Sequence, residues 1–545
     1  MRKSVTFDYV IVGAGSAGCV LANRLSADSN RSILLLEAGG QDRDPRLHIP
    51  GAYGELFKKS FDWGFWSEPQ EELYHRKLYL PRGKTLGGCS STNAMAYVRG
   101  HKIDYDRWAE MGNPGWSFED VLPYFIKSEN NEQIAQLDSE FHAKGGPLNV
   151  TFQRRFQTPF AHAFLDACEQ VGIPRNGDYN GRLQEGCGFF QFTMRNGKRH
   201  SAVDAFLRPV LERPNLEVRT HASVVKIMMN GTQVTGVQYK DKFGALHMVH
   251  SGSETILSAG AFKSPQLLML SGIGDQLELE KHDIKVVHDL PGVGKNLQDH
   301  LFFPISATAK SQEGLNHHLR PLAKIKAIWN YLLKERGPLV SGPLEAVAFT
   351  KLYESSSSTN FQFHFAPMHI GRGYNYDMYD LKTYPHTDGF TILPTILKPH
   401  SRGEVVLRGA DPHEAPKIAP NFLSDDRDLN ALVEGGQMAL EMLRQDAFRP
   451  HLKEVIAPPD LGSQKVVDAL KKHIRKSVET VYHPVGTCKM GKDSMAVVNA
   501  DLQVHGMDGL RVVDASIMPE IISGNTNAPV YMIAEKAADV ILGNR

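Results

Sequence analysis

A short run of small residues near the start of the chain has the composition and spacing of a phosphate-binding turn. The run is Gly13, Ala14, Gly15, Ser16, Ala17 and Gly18. In such a turn Gly13 permits the tight reversal, Gly15 lets the backbone approach a pyrophosphate, and Gly18 lets the following helix pack closely. The positive N-terminus of that helix then faces the phosphates. The predicted chemistry is dinucleotide binding, with Ser16 and Ala17 at the ligand.

An acidic residue stands where a dinucleotide-binding unit needs one. Glu37 ends the next apolar run, with Ala38 beside it, at the expected distance from the glycines. A carboxylate there hydrogen-bonds a ribose hydroxyl and disfavours a ribose phosphate, so NADP is not expected. The spacing by itself leaves FAD and NAD open.

The elements that must position these residues can be read from the apolar runs. FDYVIV (7–12) predicts a buried strand, SAGCVLANRLSAD a helix, and SILLLEAGG, from Ser32, a second strand. This βαβ opening is typical of a parallel sheet. Residues 216–240 predict a hairpin with Asn230 and Gly231 at a turn. Residues 81–100 are mostly small and predict neither a helix nor a strand.

Length and composition exclude several classes of protein. A chain of 545 residues exceeds one ordinary core, so we expect at least two domains. Lys plus Arg and Asp plus Glu both total 61, so the net charge is zero and nothing suggests a nucleic-acid partner, which would favour a basic face. The 5 cysteines are scattered, so neither a disulfide framework nor a metal site is predicted. The sequence shows no secretory signal, and we expect a cytoplasmic protein.

Four further segments resemble those of the glucose-methanol-choline (GMC) oxidoreductases. They are PRGKTLGGCSSTNAMAYVRG (81–100), GAFKSPQLLMLSGIG (260–274), YHPVGTCKMG (482–491) and VVDASIMPEIISGNTNAPVYMIAEKAAD (512–539). Their order along the chain is the order of that family, and the chain looks most similar to its choline dehydrogenase and aliphatic alcohol dehydrogenase branch. The resemblance implies FAD as the cofactor.

The resemblance also implies an architecture. We expect an α/β chain (α+β overall), with a Rossmann-like FAD-binding domain on a parallel sheet and an inserted substrate domain built on an antiparallel sheet with helices. The predicted FAD-binding domain comprises residues 1–155, 196–305 and 478–545. The predicted substrate domain comprises residues 156–195 and 306–477.

The resemblance places further cofactor contacts. Because residues 86–96 are mostly small, their backbone amides can approach a flavin and a pyrophosphate. Thr92 stands where some members carry a histidine bonded covalently to the flavin, so non-covalent FAD is predicted. Beyond the glycine turn and Glu37, the expected contacts are Gly87, Gly88, Thr92, Asn93, Ala94, Met95, Ala96, Val225, Asp514, Ala515, Asn525, Thr526 and Asn527.

The resemblance singles out one of the 23 histidines as a catalytic base. His483 lies in the segment that carries the family's catalytic histidine, and an imidazole is suited to take a hydroxyl proton at neutral pH. Asn525 matches the position of its catalytic partner and would hold the developing alkoxide. The reaction implied is oxidation of a primary alcohol to an aldehyde, with hydride transfer to flavin N5. We expect structural roles for His300 and Cys488.

Several points stay open in the sequence. The electron acceptor is a quinone-like carrier or O₂, and no motif decides between a dehydrogenase and an oxidase. A hydroxynitrile lyase or a light-driven fatty-acid decarboxylase on the same scaffold is an alternative, although the latter needs no base such as His483.

The substrate and the surroundings of the protein are also only partly indicated. An apolar alcohol is favoured by candidate lining residues of the middle region, namely Phe361, Phe363, Phe365, Met368 and Tyr374. The stretch from Arg320 to Arg336 predicts a basic amphipathic helix. Such a helix suits peripheral contact with the inner face of a membrane, and the alternative is simple packing on the substrate domain.

Overall fold

The computed structural model describes residues 5–153, 155–352, 357–374, 376–462 and 465–543. Within these ranges the helices are α1 (Ser16–Leu25), α2 (Lys102–Glu110), α3 (Phe118–Ser128), α4 (Pro159–Gln170), α5 (Gly260–Leu270), α6 (Gln276–Glu280), α7 (Pro321–Lys334), α8 (Asp426–Arg444), α9 (Val466–Ser477) and α10 (Asn527–Leu542).

The first sheet is built around the predicted βαβ opening. Its strands lie in the order Leu216–Arg219, Ile33–Leu36, Val5–Val12, Leu246–Leu257, Gln233–Lys240 and Ser223–Asn230, with Leu510–Val512 beside Leu246–Leu257. The pairings on either side of Val5–Val12 are parallel, and a hairpin of Ser223–Asn230 and Gln233–Lys240 adds antiparallel strands at one edge. The hairpin predicted over residues 216–240 is wrong for its first part, because Leu216–Arg219 pairs in parallel with Ile33–Leu36 at the opposite edge. Helices α1 and α10 pack together and share a core with this sheet.

The second sheet is antiparallel and is built from the middle of the chain. Its strands lie in the order Leu452–Ala457, Ile305–Ala309, Gly389–Ile396, Phe361–Ala366, Ala346–Thr350 and Gly186–Phe189. Helices α4, α8 and α9 share a core with one face of this sheet. The α/β class and the combination of a parallel with an antiparallel sheet are therefore confirmed.

Two short strands link the second sheet to neighbouring parts of the chain. Leu301–Phe302 pairs with both Gly389–Ile396 and Glu479–Thr480. Both short strands lie just inside the segments predicted for the FAD-binding domain. The domain limits themselves stay a prediction.

The two sheets position one large cavity. Val12, Leu36 and Ser258, at or just after the carboxyl ends of the parallel strands, line one part of it. His364 and Leu393 of the second sheet line another part. Ligands of open parallel sheets bind outside these strand ends, so the cavity lies where the glycine turn predicts a dinucleotide.

Candidate active site

The glycine turn begins as the first strand ends at Val12. Gly13 has a φ of +101°, and a Cβ there would lie 2.5 Å from the Ser258 carbonyl oxygen. A Cβ on Gly18 would lie 1.9 Å from the Gly13 oxygen, whereas one on Gly15 would meet nothing within 4 Å. Packing therefore demands glycine at 13 and 18, while the open space at Gly15 belongs to the cavity. This is the division of roles that a bound pyrophosphate requires.

The Glu37 carboxylate accepts two backbone hydrogen bonds, one of them from the same turn. One oxygen accepts the Ala14 N–H at 3.0 Å and the other accepts the Gly39 N–H at 2.7 Å. Burial raises the pKa of Glu37 to about 7. The residue also lines the cavity, and a carboxylate accepting ribose hydroxyl groups would regain polar contacts that burial has removed.

The segment of small residues lies against the glycine turn. A Cβ on Gly88 would lie 2.8 Å from the Gly15 Cα, so the two backbones meet closely. Further along, the Asn93 side-chain oxygen accepts the Met95 N–H at 2.9 Å and an Arg199 Nη1–H at 2.7 Å. Arg199 is buried and also donates to the Ser90 carbonyl at 3.1 Å. No sequence motif points to Arg199, because it lies far from Asn93 along the chain.

His483 is held at both ring nitrogens. Its Nδ1 lies 2.9 Å from Nδ1 of His300, and its Nε2 lies 3.2 Å from Nδ2 of Asn525. The Nε2 of His300 lies 3.1 Å from the Leu397 carbonyl oxygen. A carbonyl only accepts, so His300 donates from Nε2 and its Nδ1 carries a lone pair.

This chain of hydrogen bonds fixes the tautomer of the predicted base. Since Nδ1 of neutral His300 accepts, Nδ1 of His483 must donate, and the lone pair of His483 is on Nε2. Burial lowers the pKa of His300 to about 3, which keeps that ring neutral. Burial also lowers the pKa of His483 well below its usual value, with the neighbouring histidines and Arg82 contributing.

The backbone at His483 is anchored by a buried carboxylate. Asp299 accepts the His483 N–H at 2.7 Å and a hydrogen bond from the Thr480 hydroxyl. The ring of His300, for which a structural role is predicted, contacts the predicted base directly. Cys488 is buried, and its backbone N–H donates to the Ser516 carbonyl at 2.9 Å.

Residues of the last predicted motif (512–539) also line the cavity. Asp514 accepts the Gly260 N–H at 2.8 Å and the Ser264 hydroxyl at 2.6 Å, which ties the start of α5 to this turn. Asn527, the first residue of α10, accepts the Ser16 hydroxyl at 2.7 Å. The start of α10 therefore meets the glycine turn.

The structure brings most of the predicted site residues into one cavity of about 960 Å³. Those lining it are Gly13, Gly15, Ser16, Ala17, Glu37, Ala38, Gly88, Thr92, Asn93, Ala94, Met95, Ala96, His483, Asp514, Ala515, Asn525, Thr526 and Asn527. Among the described residues, Gly18, Gly87 and Val225 do not line it, although Ser223 and Val224 do.

The predicted aromatic lining is wrong for one strand. Phe361, Phe363 and Phe365 lie in the core beneath the second sheet, and a Cβ on Gly435 of α8 would lie 2.0 Å from the Phe361 ring. Alternate strand residues face opposite sides, so His364 and Ala366 line the cavity instead. Met368 lines the cavity as predicted. Tyr374 does not, and its hydroxyl lies 3.2 Å from the His473 ring.

Four buried side-chain polar atoms at the cavity have no partner among the described residues, and two of them are the Ser258 and Ser341 hydroxyl oxygens. The other two are the Asn525 side-chain oxygen and Nε2 of His364. Because an unpaired buried polar group costs free energy, these atoms mark positions where a polar group of a ligand belongs.

Comparisons with known proteins agree with this geometry. Two GMC oxidoreductase family models match residues 7–302 and 399–534. The chain belongs to the GMC oxidoreductase family. It is 42% identical to an alcohol dehydrogenase (acceptor) of Pseudomonas putida, over 98% of this chain and 96% of that protein. It is 40% identical to the mitochondrial choline dehydrogenase of Homo sapiens, over 98% of this chain and 90% of that protein.

Solved structures of this GMC oxidoreductase's relatives have the same fold. Pyridoxine 4-oxidase from Mesorbium loti superimposes with a TM-score of 0.86 at 30% identity, covering 98% of both chains. A formate oxidase from Aspergillus oryzae gives a TM-score of 0.91 at 28% identity, covering 99% of both chains. The protein is an FAD-dependent oxidoreductase, and the glycine turn, Glu37 and the small-residue segment are the parts that fit the cofactor.

Proposed function

We propose that this protein oxidises a primary alcohol to an aldehyde, with His483 as the base that removes the hydroxyl proton. The observation that carries the proposal is the hydrogen-bond chain from Leu397 through His300, which leaves the lone pair of His483 on Nε2. When bound, FAD supplies the hydride acceptor, at flavin N5. The alcohol dehydrogenase and choline dehydrogenases among the relatives support this reaction class.

The protein residues divide the proton step between them. The hydroxyl proton goes to Nε2 of His483, and the oxygen that loses it becomes negatively charged. The Asn525 amide, which donates to Nε2 before substrate binds, can turn its N–H to that oxygen. The low pKa of free His483 suits this role, because the ring gains its charge only beside a compensating alkoxide.

An apolar or aliphatic alcohol fits the part of the cavity beyond these polar atoms. Met368, Ile370 and Leu393 of the second sheet region line the cavity together with Ile328 of α7. Such side chains favour a hydrocarbon chain because its burial removes apolar surface from water. His364, whose Nε2 has no partner among the described residues, also lines the cavity and stacks on Phe190.

The experiment is an anaerobic screen of alcohols with the purified holoenzyme. We expect flavin absorbance to bleach with primary aliphatic alcohols in proportion to aldehyde formed. A lyase or a light-driven decarboxylase would turn over without bleaching by alcohols in the dark, so that result would contradict the proposal.

We further propose that the FAD is held non-covalently. Thr92 lines the cavity, and a hydroxyl side chain there has no imidazole for a flavin bond. Acid precipitation should release all of the yellow colour into the supernatant. Flavin that stays with the washed pellet would contradict this.

We propose a quinone-like electron acceptor rather than O₂. The 42% identical alcohol dehydrogenase (acceptor) supports a carrier, whereas the relatives that would support O₂ are oxygen-dependent choline dehydrogenases at 38–40% identity. Mixing reduced enzyme with air-saturated buffer should give slow reoxidation and little peroxide, while a soluble quinone reoxidises it quickly. Rapid stoichiometric peroxide formation would show an oxidase.

A further inference from the structure

Helix α7 presents an apolar face to the outside of the molecule. Leu322 is 83% exposed, Trp329 61% and Leu333 69%, and Ile325 and Leu332 are also exposed. These positions are three or four residues apart, so they stand on one side of the helix. Single exposed apolar residues are ordinary, but a contiguous patch of large ones marks an interaction surface.

Other positions of the same helix belong to the active-site cavity. Lys324, Ala327 and Ile328 line the cavity that also contains His483 and Asn525. Ala327 is buried, whereas the Lys324 side chain is 53% exposed and Ile328 is 40% exposed. The helix is thus one wall of the cavity, and the cavity reaches the surface beside it.

The charges of this stretch that have no ion-pair partner among the described residues are positive, whereas Lys324 pairs with Glu55. Lys326, Lys334 and Arg336 form no ion pair within the part of the chain that the structure describes. The acid of this stretch, Glu335, is already paired with Arg155 at 2.6 Å. An apolar face flanked by unpaired cations is complementary to a lipid surface with anionic headgroups.

The size of the face favours lipid over a second copy of the chain. A helix of 14 residues is about 21 Å long and about 10 Å across, which gives a footprint of roughly 200 Å². A stable protein interface takes about 800 Å² from each partner. The helix is also shorter than the roughly 20 residues that span a bilayer, and in the described ranges no helix combines the length and hydropathy needed for spanning.

We propose that α7 lies in the headgroup region of an anionic lipid surface and that the cavity opens there, so that its substrate is a long-chain primary alcohol taken from the lipid. The alkyl chain of such an alcohol lies among acyl chains with its hydroxyl at the surface. The entry of an alcohol rests on the function proposed above, whereas the lipid contact does not.

The lipid contact is tested with two matched triple variants. The face variant carries Ile325→Ser, Trp329→Ser and Leu333→Ser. The control variant removes comparable exposed side chains of another surface, with Phe243→Ser, Leu246→Ser and Met248→Ser. The readout is sedimentation with vesicles of phosphatidylcholine alone or with added phosphatidylglycerol.

We expect wild type and control variant to sediment with the anionic vesicles, less so at high salt, and weakly with phosphatidylcholine alone. The face variant should lose at least about tenfold in vesicle affinity, because three large apolar side chains no longer leave water. Wild type remaining in the supernatant, or a face variant that sediments like wild type, would overturn the proposal. So would a wild-type dimer that the face variant converts to monomer in analytical ultracentrifugation.

The entry route is tested by flavin reduction with two alcohols. Butanol is given in solution and dodecanol in anionic vesicles. The face variant should reduce its flavin normally with butanol but lose at least about tenfold in kcat/KM with dodecanol, following its vesicle affinity. Unchanged kcat/KM on dodecanol would refute the entry route. Bleaching by neither alcohol in wild type, with vesicle binding intact, would instead overturn alcohol oxidation and leave the lipid contact standing.

Discussion

Replacing His300 tests whether the hydrogen-bond chain sets the tautomer of the base. In His300→Leu the Nδ1–H of His483 loses its acceptor inside a buried site. Leaving such a donor unpaired costs about 1–3 kcal/mol, so the ring is driven to turn or to move its proton to Nε2. That range corresponds to a roughly 5- to 150-fold loss of the competent form. Flavin reduction should slow by the same factor.

His300→Asn provides the matched control. Its side-chain oxygen can take the place of Nδ1 and accept from His483, although the bond to the Leu397 carbonyl is lost. We expect it to restore most of the rate, whereas a merely space-filling role would be served as well by leucine. The assay is anaerobic stopped-flow flavin reduction at saturating alcohol from pH 5 to pH 9, with FAD content measured for each variant.

Two results would refute the reasoning. One is a His300→Leu enzyme that holds its FAD and reduces it at the wild-type rate, which would show that the tautomer of His483 does not depend on position 300. The other is an asparagine variant as slow as the leucine variant at every pH. In that case the volume of the imidazole, and not its acceptor atom, would be what the site needs.

The remaining predictions concern the base, the glycine turn and pH. His483→Ala should keep FAD but slow flavin reduction by about 10²-fold or more, and Asn525→Ala should slow it less. A wild-type rate of flavin reduction in His483→Ala would show that His483 is not the base. Gly15→Ala should fold and bind FAD more weakly by equilibrium dialysis, whereas Gly18→Ala should not accumulate as folded protein, and the reverse order would contradict the packing. Burial lowers the pKa of His483 below 6.5, so it stays deprotonated above that pH. The rate of flavin reduction should therefore hold from pH 8 to pH 6.5 and fall only in more acid buffer, and a midpoint at pH 7 or above would count against it. The free energy of unfolding, measured with urea, should fall as the pH drops below 6.5. Burial lowers the pKa of His300 and His364, so the unfolded chain binds protons in this range that the folded chain does not bind.

The orientation of the strand Phe361–Ala366 and the contact between Arg199 and Asn93 could not be predicted from sequence patterns. The alternation in FQFHFAP predicts a strand, but it does not show which of the two alternating sets of side chains faces the core. Only the packing of α8 on Phe361 shows which face is covered and leaves His364 to the cavity. Arg199 reaches Asn93 across 106 positions, and no local pattern reports such a contact.

The features that could be predicted from residue types alone are those that depend on local interactions. The turn from Gly13 to Gly18, the acid at Glu37 and the helical face of α7 follow from residue types at short spacing, and the family motifs locate His483. The tertiary structure decided which partners those residues have. His300 and His483 are 183 positions apart, and their contact sets the tautomer because folding buries both rings where protein atoms replace water as hydrogen-bond partners. Whether the face of α7 is buried or exposed was likewise decided by packing, since amphipathic spacing is the same in either case.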